Sequence, residues 1–200
     1  MKVLIRSLFL AFILTFLMSS GAQSASAASA KKTVLVLFPY QFDLPVSMLA
    51  AQAIREELGN AIDLKVDLYY EYADLNRFPD TSYQQIIFGL YAAKYRNKQV
   101  DLVILASEMM LNLWLERRGG ILPKTPVVFY DIDSKHLDGR QFPPDVTGTS
   151  DTVDLLRSIK WILRARPAVN EIVVVHGVGQ ADREFIQSAT ALKKELGGHP

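Results

Sequence analysis

The 200-residue chain has no cysteine. That excludes thiol catalysis, cysteine-ligated zinc, iron–sulfur clusters and disulfide staples. The core must therefore hold by packing alone. An excess of either charge is also missing, with 22 Lys and Arg against 21 Asp and Glu. Such a balance carries no electrostatic footprint for nucleic acid. The densest basic cluster, Arg164 with Arg166, reads as a solvated helix end. No apolar run reaches the roughly 20 residues needed to span a bilayer. Internal repeats and low-complexity tracts are absent after the first 30 residues.

Apolar residues, by contrast, make up 50% of the chain and aromatic residues 10%. This suffices to bury a core and argues against global disorder. At the amino end, Lys2 and Arg6 precede an apolar run of 11 residues, Leu8 to Met18. Ala25-Ser26-Ala27 and Ala28-Ser29-Ala30 then offer two A-x-A cleavage sites. A basic start, a short apolar stretch and small residues at the cut form a secretory signal peptide, expected over residues 1–30. Its removal leaves 20 basic against 21 acidic residues. No lipobox cysteine follows, so the leader is not a lipid anchor.

From Lys31 onward, apolar runs alternate with amphipathic stretches. Thr33–Phe38, Leu64–Tyr70, Asp101–Leu105, Pro126–Tyr130 and Glu171–His176 are rich in β-branched and aromatic residues and predict strands. Between them, helical spacing is set by Val46, Leu49, Ala53, Ile54 and Leu58, then by Tyr83, Ile87, Leu90 and Lys94, then over Met109–Arg118. Pro45 suits a helix start, and Thr81 with Gln84 fits a capping box. Asp151 can cap a helix carrying Leu155, Ile159 and Ile162, and Ala181–Leu196 predicts a last helix. Thr147–Ser150 reads as a crossing to a second domain. Strands without polar alternation, each followed by a helix, imply an α/β fold: a parallel sheet with helices on both faces.

Ligands of such folds sit beyond the carboxyl ends of the strands. That rule selects Tyr40, Gln41, Phe42 and Asp43 after the first strand and Ser107 with Glu108 after the third. It also selects Tyr130, Asp131 and Asp133 after the fourth, and Gly177 to Arg183 after the fifth. Asp131-Ile132-Asp133 is a D-x-D pair of hard oxygen donors, suited to a divalent cation and to an exported metal-dependent hydrolase or transferase. Lys135 stands where the phosphatase version of the motif has Thr. His176-Gly177-Val178-Gly179 starts like a dinucleotide loop, but Asp182 replaces the third glycine. His136, His176 and His199 lack metal-ligand spacing. Ser107 lacks a nucleophile-elbow context. Tyr40, Phe42 and Tyr130 suit either a cleft wall or a cover for the sheet end.

Several segments, in order, carry a family likeness: Lys32–Leu37, Asp43-Leu44-Pro45, Tyr70–Asp80, Asp101–Ile104, Thr125–Phe129 and Pro144–Gly148. Together they resemble the ABC-transporter-substrate-binding-like sensor domains at the front of bacterial membrane histidine kinases. The resemblance implies a type I periplasmic-binding-protein-like fold. It places an amino-terminal lobe at residues 31–147 and a crossover with the start of a second lobe at residues 148–200. The second lobe is expected to be cut short, leaving apolar edges uncovered. The implied cleft residues are Tyr40, Gln41, Phe42, Asp43, Ser107, Glu108, Tyr130 and Asp131, faced by Gly179, Asp182 and Arg183. The implied function is an extracytoplasmic, periplasmic small-ligand sensor feeding a two-component kinase, with no catalytic, metal or cofactor role in these residues. A solute-binding component serving an ABC permease is the alternative, and dimerisation stays open.

Overall fold

The computed structural model describes residues 31–60, 65–152, 154–177 and, further on, 182, 183, 185–187, 189 and 190. The expected signal peptide, Gly179 and His199 lie outside the described residues. The fold is α/β. Five strands, β1 (Lys32–Phe38), β2 (Val66–Tyr72), β3 (Leu102–Ala106), β4 (Val127–Tyr130) and β5 (Val146–Gly148), form one parallel sheet in the order β2-β1-β3-β4-β5. Helices α1 (Pro45–Gly59), α2 (Thr81–Tyr95) and α3 (Ser107–Arg117) connect the first four strands. Helix α4 (Leu155–Ala165) follows β5.

The strand order turns back on itself at β1. The chain first steps outward to β2, then across β1 to β3 and β4. Right-handed crossovers in opposite directions send their helices to opposite faces. Accordingly α1 packs on one face, and α2 with α3 on the other. Every residue from Val34 to Phe38 is buried, yet they alternate between two cores. Leu35 and Leu37 join Tyr91, Tyr95, Met110 and Trp114 on the α2/α3 face. Val34, Val36 and Phe38 join Ala51 on the α1 face, with Ile54, Leu58, Tyr70, Tyr72 and Tyr130 packed against them. An all-apolar strand is thus the signature of a sheet covered on both sides.

Polar ties set the edges. Arg118, 8% exposed, donates to the carbonyls of Pro123 (3.1 Å) and Thr125 (3.2 Å) and pairs with Asp145. This locks the end of α3 to the entry of β5. The Arg118 hydrogen bond holds the Asp145 carboxyl below its ordinary range. At the same amino-terminal end of the sheet, between β1 and β3, Asp101 accepts from Thr33 N (2.9 Å) and Lys32 Nζ (3.0 Å).

Several expectations need correction. Strand β2 runs over Val66–Tyr72, two residues beyond the predicted end at Tyr70. Thr81 is the first residue of α2 and no capping box forms. Asp80 holds the cap position, and Gln84 donates instead to the Pro79 carbonyl at 3.0 Å. The cap of α4 is Asp154, which accepts from Arg157 N at 2.8 Å, not Asp151. Residues 146–148, at the expected end of the first lobe, form a short strand beside β4 that the sequence reading did not give. Most instructive is Glu171–His176, the predicted fifth core strand. It carries no strand and is exposed throughout, with Val173 at 73% and Val175 at 88%. A β-rich composition yields a strand only where a ladder partner exists. The place beside β4 is taken by β5, and among the described residues nothing pairs with 171–177.

Candidate functional site

The strands end in a row on the α1 face. Register places Phe38 beside Tyr72 and Ala106 beside Tyr130, while Leu37 pairs with Leu105 one residue earlier. The row therefore reads Tyr72, Phe38, Ala106, Tyr130. Phe38 and Tyr72 stack with ring centroids 4.9 Å apart. Phe42, 65% exposed, meets Tyr72 edge-on at 6.3 Å. Ala106 is the one small residue in an aromatic row, and a cavity of about 180 Å³ opens over it. Phe38, Pro39 and Tyr40 wall it from β1, and Val46 with Ser47 from the first turn of α1. Tyr130, Asp131 and Asp151 close the far side. The cavity sits where β1 and β3 diverge in connection, the switch point at which open α/β sheets bind ligands.

Two carboxylates reach this cavity by different routes. Asp131 follows β4 directly with φ of +61°. Asp151 is carried there by continued pairing: Thr149 N donates to Phe129 O (3.0 Å), Asp151 N to Ile132 O (2.8 Å) and Ser134 N to Asp151 O (2.8 Å). Burial, then the nearby Asp151 charge, pushes the Asp131 carboxyl above its ordinary range. Burial also raises the Tyr130 phenol, with the charge of Asp131 adding to it.

Backbone strain gathers at the same end of the sheet. Among the described residues, three non-glycine positions have left-handed φ: Asp74 (+54°) after β2, Ser107 (+72°) after β3 and Asp131. Strained backbone of this kind concentrates at ligand and catalytic sites. Two buried hydroxyls complete the picture. Ser47 is 1% exposed, and neither its Oγ nor the Tyr130 hydroxyl has a hydrogen-bond partner within the protein. Both residues line the cavity. The nearby Gln41 Oε1 is likewise buried and unpartnered. Leaving such a group unsatisfied costs about 1–3 kcal/mol.

Of the residues selected from the sequence, Tyr40, Tyr130 and Asp131 line the cavity. Gln41 and Phe42 lie beside it, Asp43 is exposed, and Ser107 directly follows the lining residue Ala106. Glu108 is engaged elsewhere. It meets His136 Nδ1 (2.7 Å) and Arg140 Nη1 (3.2 Å), while Arg140 also donates to Asn112 Oδ1 (2.7 Å). That clasp ties the β4–β5 loop to α3. Asp133 does not act with Asp131: it pairs with Lys135 Nζ (2.9 Å), and Lys135 holds its carboxyl below the ordinary range. Asp182 accepts from Gly177 N at 3.2 Å, and neither it nor Arg183 lines the cavity. Ser47, Ala106 and Asp151 are cavity residues that sequence reasoning passed over. Ser47 falls between the apolar positions of α1, and Asp151 resembles a helix cap. Among the described residues, no cluster of three His, Asp or Glu side chains is placed to hold a metal ion. No helix there is long and apolar enough to cross a membrane.

No protein-family model and no curated protein matches the chain. A solved structure does: a conserved domain protein from Vibrio cholerae O1 biovar El Tor strain N16961. It superposes with a TM-score of 0.51 at 18% identity, covering 81% of this chain and 52% of that one. The chain thus spans about half the length of that protein. At this identity the likeness speaks for the shared α/β fold alone.

Proposed function

We propose that the chain forms one wall of the binding cleft of an extracytoplasmic small-molecule receptor, the input region of a two-component sensor kinase. Export follows from the basic start, 11-residue apolar run and two A-x-A sites at the amino end. The signalling role follows from the resemblance drawn from the ordered segments between Lys32 and Gly148. One observation carries the binding role: Ser47 and Tyr130 both line one cavity at the switch point, and each carries a buried hydroxyl with no partner within the protein. Hydroxyls placed there hydrogen-bond a ligand, while Phe38, Tyr40 and Val46 cover its apolar surface.

A ligand that touches a second wall only in a closed state shifts the population toward closure by its difference in affinity for the two states. That shift is the signal a kinase would read. The test is a thermal-shift screen of the chain with small metabolites, run beside Ala106→Leu, which fills the cavity. A compound that raises the melting temperature of the parent but not of the variant is the expected result. A screen in which every hit acts equally on both would remove the cavity from consideration. An immunoblot of source cells tests the signalling half: a band no larger than a two-lobed binding protein would refute the kinase context.

A further inference from the structure

The cavity joins a carboxylate pair to an aromatic and apolar wall, and no Lys, Arg or His lines it. Asp131 and Asp151 interact unfavourably with each other there. Among the described residues, basic side chains of the neighbouring elements are committed to other groups. Lys135 is on Asp133, Arg140 is on Glu108 and Asn112, and Arg55 lies over the Tyr70 ring at 5.5 Å. A positive ligand would relieve the repulsion, and a negative one would worsen it. Ser47 is an independent pointer to a ligand, since its hydroxyl is buried, unpartnered and part of the cavity wall. Tyr40 and Tyr130 place aromatic rings in the cavity wall, and aromatic rings attract a cation in a desolvated setting.

A hard divalent cation such as calcium or magnesium is a poor fit. It takes six or more oxygen ligands, and the wall is largely aromatic and aliphatic. Size narrows the choice further. About 180 Å³ is close to the roughly 150 Å³ engineered cavity that accommodates benzene.

We propose that this cavity selects a small organic cation: an ammonium group on a compact apolar body, no larger than one ring with a short arm. The ammonium lies between Asp131 and Asp151, and the body lies over Ala106 against Tyr130. This rests on the reading of the cavity as a ligand site, and it adds the charge and size of the occupant.

The experiment is an NMR titration of the full chain with three probes of one shape: benzylammonium, benzyl alcohol and benzoate. Benzylammonium is expected to shift the amides of Ser47, Ser107, Asp131 and Asp151, and to bind at least about tenfold more tightly than benzyl alcohol. Benzoate should leave them unmoved. Asp131→Asn should bring benzylammonium down to the affinity of the alcohol while leaving the alcohol unchanged. Asparagine keeps the shape and tolerates positive φ, so this variant retains the fold. Equal or tighter binding of the alcohol or benzoate would overturn the charge assignment and leave the cavity as a ligand site. Saturation of the same amides by calcium or magnesium chloride alone would replace the organic cation with a metal. Silence from all three probes at those amides would overturn both the assignment and the binding role.

Discussion

Removing a buried hydroxyl normally weakens a protein, but in this cavity it should strengthen it. Ser47 Oγ is buried without a partner in the first turn of α1. Ser47→Ala lifts a desolvation cost of about 1–3 kcal/mol. Alanine also gains up to about 0.5 kcal/mol in helix propensity. The net expectation is a gain of about 1–3 kcal/mol. For a domain of this size, each kcal/mol moves the melting temperature by about 2–4 °C. Tyr130→Phe deletes the second orphan hydroxyl and should act in the same direction. The internal control is Thr125→Val. Thr125 is also buried, but its hydroxyl bonds the Val100 carbonyl at 3.3 Å, so its loss should cost about 1 kcal/mol. Urea unfolding followed by circular dichroism reads all three midpoints. If Ser47→Ala and Tyr130→Phe move down together with Thr125→Val, the two hydroxyls are satisfied and the case for the site loses its main support. If they move up while ligand binding weakens, stability has been exchanged for function in the usual sense.

Three further expectations test the surroundings of the cavity. A Cβ at Gly148 would stand 2.2 Å from the Phe129 carbonyl oxygen and 2.5 Å from its ring, so Gly148→Ala should cost about 1–3 kcal/mol. It should also loosen the pairing that delivers Asp151, seen as lost protection of the Thr149 and Asp151 amides in hydrogen exchange. Asp131 has a folded-state value raised above its unfolded one, so the native state binds more protons between the two and stability falls as pH rises through that window. Asp131→Asn should therefore match the parent in acid and exceed it at neutral pH, and urea midpoints that keep a constant gap across pH would contradict this. Finally, Val173→Lys and Val175→Lys replace exposed apolar side chains outside any ladder. They should raise solubility in light scattering with a change in unfolding midpoint equivalent to under about 0.5 kcal/mol. A large loss of stability would show that the segment is packed.

Local pattern determined a good deal about this protein. The alternation of β-branched runs with helical spacing between Lys31 and Tyr130 predicted four strands and three helices, because strand and helix periods are local properties of the chain. The all-apolar Val34–Phe38 run indicated a sheet covered on both faces, and the rule of carboxyl ends located Tyr40, Tyr130 and Asp131 beside the cavity. Tertiary structure alone decided the rest. Ser47 became a site residue because α1 crosses the end of β1, and Asp151 because residues 149–151 keep pairing past β5. Ala106 makes room only because register sets it in a row with Phe38, Tyr72 and Tyr130. Glu108 and Asp133, equally well placed in sequence, were claimed by His136, Arg140 and Lys135. The valines of 171–177 have the composition of a core strand, yet they lie exposed for want of a ladder. Burial, register and partner choice are mostly long-range properties: apart from Asp133, held by Lys135 two residues on, these outcomes turned on residues distant in the chain.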